Sequence, residues 1–396
     1  MSEIFKAKKF PILYGNSKTG KVKEWSISVV YNESTKVADI ITNHGYIDGQ
    51  KQKDIVQINK GKNIGRANET TPFEQAVSQA QSKWNLKKDK GYVLDKNNIP
   101  DIKLPMLAKC YGSIFQGELT KDMAHNIKFP CYVQPKLNGV RCLTKRVNGD
   151  ITFTSRHGKQ YATLHHINKE LKRIMDIGDM FDGEIYVHGV CFQDIVSAVK
   201  NVDSQDKATY DCSKLQYWIY DVADSENHFA NRFTDLMAKF NEENMKDKFK
   251  HLRLVETLPC KDEKELLKYH DSYVADGYEG VIIRNKKGKY EFKHRSDNLQ
   301  KLKAFKDEEF EIIDVKCGTG RYNDCATFIC ITPQGKEFSV TPEGDMDLKR
   351  KYLKNADDYI GKHLVVKYQE KSRDNIPIFP IGIGVRLEED MPFEDD

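Results

Sequence analysis

The sequence holds no apolar run near the roughly 20 residues that a membrane-spanning helix requires, and its opening, Met1-Ser2-Glu3-Ile4-Phe5-Lys6, lacks a signal-peptide pattern. No internal repeat or low-complexity tract breaks it. Its nine cysteines are odd in number and none forms a Cys-x-x-Cys pair. These absences argue against a helical membrane protein, a disulfide framework and a structural zinc site. They argue for a reducing intracellular compartment, cytoplasm or nucleus, and a viral or phage source is compatible with that. What is present is globular in kind. The 396 residues are 39% hydrophobic and 31% charged, enough for two or three domains with sizeable cores. The chain is expected to be a monomer without a membrane partner.

Charge is unevenly spread. Residues 1–100 carry 17 Lys+Arg against 10 Asp+Glu, whereas Leu387–Asp396 hold six acids and no base. A basic N-terminal block fits a polyanionic partner, and it fits an ordinary solvated surface equally well. The acidic tail, residues 391–396, reads as solvating sequence without a fold.

The pattern predicts an α+β protein. Residues 1–98 form a small α+β domain, with strands near Glu24–Val30 and Val37–Ile41. Thr71-Pro72-Phe73-Glu74 carries a capping box and opens a helix, whose Phe73, Val77, Ala80 and Trp84 share a core-facing side. Asn97–Pro100 is a linker. Short strands such as Ile151–Thr154, Tyr217–Tyr220 and Gly280–Ile283 then alternate with helical segments to about Phe305. From Glu309 to Arg386 strands dominate, with one helix near Asp345–Leu353, as in a small Greek-key barrel. Gly15-Asn16-Ser17-Lys18-Thr19-Gly20-Lys21 has the spacing of a phosphate-binding loop. Val22 stands where that loop needs Ser or Thr, and a strand follows instead of a helix, so the stretch is read as a hairpin turn.

The chemical signal is an ordered series. It starts at Gln134-Pro135-Lys136-Leu137-Asn138-Gly139-Val140-Arg141 and continues through Ser155-Arg156-His157-Gly158-Lys159, Phe181-Asp182-Gly183-Glu184-Ile185 and Tyr217-Trp218-Ile219-Tyr220-Asp221. Glu279-Gly280-Val281-Ile282-Ile283-Arg284 and Lys301-Leu302-Lys303 close it. Each string alone is weak: a lysine at a strand end or an acid beside a glycine is common. In this order they resemble the motifs of the covalent nucleotidyltransferases, which comprise DNA ligases, RNA ligases and mRNA capping enzymes. The series is most similar to ATP-dependent DNA ligases over roughly residues 104–386. Leu104-Pro105-Met106-Leu107-Ala108 is similar to the segment those ligases place ahead of the nucleophile. Gly361–Tyr368 and Phe379–Arg386 are similar to the end of their oligonucleotide-binding barrel.

The resemblance implies a nucleotidyltransferase (ATP-grasp-like) core of antiparallel sheets and helices over residues 101–306, and an OB-fold β-barrel over 307–390. It implies nick sealing in duplex DNA, with ATP as AMP donor and Mg²⁺ as cofactor, for which Mn²⁺ substitutes. Lys136 would carry AMP as a phosphoramidate. A free lysine, with a pKa of about 10.4, is protonated at neutral pH and cannot attack phosphorus. Nearby cations and desolvation favour the neutral amine. Arg141, Lys301, Lys303 and the metal would supply that positive field and stabilise the phosphate oxygens. Glu184 and Glu279 are the candidate metal ligands, since hard cations prefer carboxylates, and the resemblance also puts Glu184 on the ribose. Tyr220 would stack on adenine, Gln134 would read its edge, Arg156 would lie at the nick, and Arg386 would orient the pyrophosphate leaving group.

Several positions depart from the family's pattern. Asn138 stands where DNA ligases usually carry Asp, Gln134 where a Glu is frequent, and Ile378 where an arginine commonly precedes the Phe-Pro pair. Residues 43–93 resemble a WGR-like DNA-binding module through Gly61-Lys62-Asn63-Ile64-Gly65-Arg66, without its signature tryptophan before Gly61. That makes Lys62 and Arg66 candidate DNA contacts. Three other readings stay open: an RNA ligase, a GTP-using capping guanylyltransferase, and a non-catalytic DNA-binding protein on an inactivated core.

Overall fold

The computed structural model describes residues 5–17, 20–100, 103–121, 126–200, 210–224, 226–241 and 249–386. The acidic tail, the last residues expected in the barrel (387–390) and Lys18-Thr19 of the loop-like stretch lie outside the described residues. The chain divides into two compact units. One is Met1–Leu104 with Thr154–Gln160, the other Pro105–Phe153 with Tyr161–Asp396.

In the first unit Phe5–Lys9, Val22–Asn32, Val37–Tyr46 and Lys51–Ile58 form an antiparallel sheet in that order, and Leu13–Asn16 also pairs with Val22–Asn32. Side chains alternate across a strand, so Trp25, Ile27 and Val29 point to one face and are buried there. The helix Pro72–Asp89 covers that face with Ala76 and Ala80, flanked by Phe73, Val77 and Trp84. Its capping box is complete: Glu74 N–H donates to Thr71 Oγ1 (3.2 Å) and Thr71 N–H to Glu74 Oε2 (2.9 Å). Asn16 pairs with Val22 in a hairpin, as expected of the loop-like stretch. Ahead of the helix, a Cβ on Gly61 would fall 1.5 Å from the Thr70 carbonyl oxygen, so only glycine fits there.

The second unit holds two sheets and a barrel. One sheet runs Asp150–Ser155 (its last two residues belonging to the first unit), Val140–Val147, Met180–Tyr186, Gln216–Val222, Leu252–Leu254. The other contains Leu258–Cys260, Cys131–Pro135, Gly280–Arg284, the first half of Arg295–Cys317, and Leu107–Phe115. The long strand Arg295–Cys317 then leaves this sheet and enters the barrel. There it pairs with Ala326–Ile331, then come Glu337–Pro342, Ile381–Val385 and His363–Tyr368, and the last returns to pair with the long strand. The ring closes, so no edge is left unpaired. The helix Met346–Lys354, capped by Asp345, lies in the connection between Glu337–Pro342 and His363–Tyr368. This is the α+β nucleotidyltransferase-plus-OB architecture expected. The boundary expected at 306/307 falls inside one continuous strand. No helix among the described residues is long and apolar enough to cross a membrane.

Candidate active site

The strand Cys131–Pro135 buries Cys131, Val133 and Gln134 and ends at a proline, which has no N–H to extend a ladder. Lys136 follows. Its N–H donates to Gly280 O (2.9 Å), and Glu279 N–H donates to Lys136 O (3.0 Å). These bonds set the two side chains together, and the Lys136 ammonium is ion-paired with Glu279. Lys303 sits opposite Gly280 in the neighbouring ladder and pairs with the other oxygen of the same carboxylate. Lys301, two residues earlier on that strand, lies on the same face. Gly139 brings the chain close to Glu184: a Cβ there would lie 2.4 Å from Ile185 O and 2.8 Å from Glu184 Cγ.

Two carboxylates of the site have opposite electrostatics. Burial raises the Glu184 carboxyl from 4.5 to about 7, against the opposing pull of Arg141 and Lys136. Burial would raise Glu279 too, but Lys136 and Lys303 outweigh it and hold its carboxyl below the ordinary value. Burial, followed by the Lys136 charge, lowers the proton affinity of both Lys301 and Lys303. Arg141 is held by a buried carboxylate. Its Nε and Nη2 grip Asp182 and Nη2 also donates to Met106 O (2.8 Å). Asp182 is fully buried, so this ion pair is shielded from water, and the Arg141 charge still acts on Glu184. Lys301 and Lys303 add positive charge beside Lys136.

Behind these groups lies a buried hydrogen-bond network. Gln134 Nε2 donates to Tyr220 O (3.1 Å) and Thr257 Oγ1 (2.8 Å), and its Oε1 accepts from Arg284 Nε (2.7 Å). Arg284 also donates to Asp221 (2.7 Å), which Arg232 grips with two further bonds (2.8 and 3.0 Å). Tyr220 donates to Gly183 O and Glu184 Oε2 (3.2 and 3.4 Å). The guanidiniums of Arg141 and Arg284 each lie 5.4 Å from its ring centroid. The amide of Gln134 has no spare N–H; one lone pair of Oε1 remains to accept from a ligand.

Residues 105–303 match the family model described as ATP dependent DNA ligase domain, and residues 317–386 match that for the DNA ligase OB-like domain. The chain belongs to the ATP-dependent DNA ligases. Among relatives, the DNA ligase of African swine fever virus (isolate Pig/Kenya/KEN-50/1950) is 29% identical over 422 residues, covering 95% of this chain and 94% of its own. The DNA ligase of Enterobacteria phage T4 is 23% identical over 354 residues, covering 72% and 68%. Two solved structures share the fold. One, Pmar-Lig_PreS3, has a TM-score of 0.60 at 20% identity over 79% of this chain and 72% of that one. A Lig E DNA ligase has 0.54 at 19% identity, over 72% of this chain and all of that one. The ligase therefore seals DNA with ATP as AMP donor through lysyl-AMP, the family's chemistry. The RNA-ligase, guanylyltransferase and non-catalytic readings fall away.

The structure gathers Lys136, Glu279, Lys301 and Lys303 at one point and places Gln134, Arg141, Glu184 and Tyr220 beside it. It does not bring Arg386 there. Arg386 Nε donates to Glu309 Oε1 (2.8 Å), six residues past Lys303 on the long strand, or about 20 Å of extended chain. Arg156 is exposed on the turn Ser155–Lys159, in the compact unit with residues 1–104. Lys62 and Arg66 are exposed on the loop before the helix Pro72–Asp89. Sequence reasoning missed three groups. Asp221 and Arg284 lay inside the motif strings as charges in apolar strands, a sign of a buried pair. Gln369 and Glu370 carried no local signal. In the N-terminal unit a polar concavity of about 290 Å³, lined by Lys23, His44, Tyr46, Lys87 and Tyr92 among others, was invisible in the linear order.

Proposed function

We propose that Lys136 is the nucleophile that receives AMP and that Glu279 is its partner at rest. One observation carries this reading: Lys136 and Lys303 share a single carboxylate, with Lys301 on the same face. For attack, Lys136 must lose its proton and leave Glu279. The α-phosphate would then take the carboxylate's place as the anion held by Lys301 and Lys303, and these two would stabilise the charge that builds on its oxygens. Glu184 suits the ribose hydroxyls, because a carboxyl raised to about 7 accepts a hydrogen bond strongly when ionised. Gln134 would accept from adenine's exocyclic amine through the free lone pair of Oε1.

Among the described residues no group of three or more His, Cys, Asp or Glu could hold a metal alone. Glu184 and Glu279 fit a divalent cation that arrives with ATP: Glu184 lacks a full countercharge, and Glu279 is released as Lys136 reacts. Such a cation would supply positive charge to the phosphates. Nicked duplex DNA is the proposed substrate of a monomeric enzyme. The N-terminal unit would add phosphate contacts through Lys62 and Arg66 and through Lys23 and Lys87, which line the polar concavity together with Glu24.

Labelled ATP with Mg²⁺ should give an acid-labile, base-stable protein adduct, as a lysine phosphoramidate does, and Lys136→Ala should lack it. An undiminished adduct in that variant would move the nucleophile elsewhere.

A further inference from the structure

Two adjacent barrel residues outside every motif of the series face the nucleotide site. Gln369 Oε1 accepts from Lys303 Nζ (2.7 Å) and its Nε2 donates to Glu279 Oε1 (2.6 Å). Next to it, Glu370 accepts from Asn138 Nδ2 through both carboxylate oxygens (3.0 and 2.8 Å). No cation pairs with Glu370 among the described residues, and the neighbouring Lys371 is held by Glu308 (2.6 Å). Glu370 also stands directly across a two-stranded ladder from Ile378. Positions 138 and 378 are two of the places where this chain departs from the family's pattern, with Asn for Asp and Ile for Arg. The fold brings both departures to a single carboxylate.

We infer that Asn138 and Glu370 form a clasp. It seats Gln369 as a positioning residue, which aims Lys303 and Glu279 during nick sealing. The chemistry explains the pairing. An aspartate at 138 would set two carboxylates within hydrogen-bond distance and without a cation, which is repulsive. An arginine at 378, one strand away from Glu370, would provide that cation. With isoleucine there, an amide at 138 is the compatible choice, since it donates to the carboxylate and carries no charge. Gln369 then bridges a base and an acid with one amide, accepting from one and donating to the other. These contacts exist in an arrangement where Arg386 rests on Glu309, away from Lys136, so they are tested in a step that does not release pyrophosphate. The inference rests on the proposed reading of Lys303 and Glu279 as site residues.

The test is single-turnover sealing of a pre-adenylylated nicked duplex by the full chain. Asn138→Asp should slow sealing by about tenfold or more through like-charge repulsion. Glu370→Gln alone should slow it less, because two amides can still share one hydrogen bond. Asn138→Asp combined with Glu370→Gln restores an amide–carboxylate bond with its ends exchanged, and should return the rate to within about threefold of the unmodified chain. Asn138→Asp with Ile378→Arg should recover as well. A general folding defect would not be repaired by either second substitution. If both double variants are as slow as the product of their single effects, the clasp is wrong. Lys303→Ala, run alongside, separates the two readings: normal sealing in that variant overturns the site assignment, whereas its loss with no coupling between 138 and 370 overturns the clasp alone.

Discussion

Replacing Glu184 with glutamine separates what the fold wants from what the reaction wants. Burial holds this carboxyl at about 7, up from 4.5. A carboxyl raised on folding makes the native state bind more protons than the unfolded chain between those two values. Stability from this group is therefore full below about 4.5, falls as pH rises towards 7, and is flat above. The loss reaches about 3 kcal/mol at pH 8, an upper bound, and about 1 kcal/mol at pH 5. Glutamine has nearly the same shape and cannot ionise. Glu184→Gln should thus melt close to the unmodified chain at pH 5 and higher at pH 8, by roughly 5 °C. Thermal unfolding followed by circular dichroism, with chelator and without nucleotide, measures this directly. The same variant should lose most of its AMP transfer from ATP. A shift of equal size at both pH values, or a lower melting point at pH 8, would show that Glu184 carries no such burden.

Other outcomes test neighbouring parts of the site. Arg386→Ala should cripple AMP transfer from ATP while leaving sealing of a pre-adenylylated nick near normal, and Lys301→Ala should impair both, since the AMP phosphate is held in every step; single-turnover rates on the two substrates decide it. Asp221→Ala should cost about 3–5 kcal/mol in denaturant unfolding, because Arg232 and Arg284 would be left buried without their carboxylate. Changing Lys23, Lys62 and Arg66 together to glutamine should flatten the salt dependence of nicked-DNA binding by about 0.9 for each phosphate no longer neutralised, with adenylylation of Lys136 intact; an unchanged slope would refute phosphate binding by these residues.

Much of this protein was legible in its linear order, and the reason is local. Period-two alternation fixes which face of Val22–Asn32 is apolar, Thr71 and Glu74 cap a helix from positions three apart, and Asp345 starts the barrel's helix. The motif strings work the same way. Lys136, Glu184, Glu279, Lys301 and Lys303 each lie on or beside a strand, where a short string carries both the residue type and its setting. Other properties depend on chain segments that meet only when folded. That Arg141 pairs with Asp182, 41 residues on, follows from the pairing of two strands. That Glu184 sits near 7 follows from its burial, and that Glu279 lies low follows from the two lysines beside it. Asn138 looks like a lone departure from a pattern until the barrel closes and sets Glu370 against it, 232 residues later. Hydrogen bonds and desolvation act over a few ångströms in space, whatever the distance along the chain. The sequence therefore nominated Lys136, Glu279, Lys301 and Lys303, and tertiary structure alone decided that they meet, which partners they take and what charge they carry.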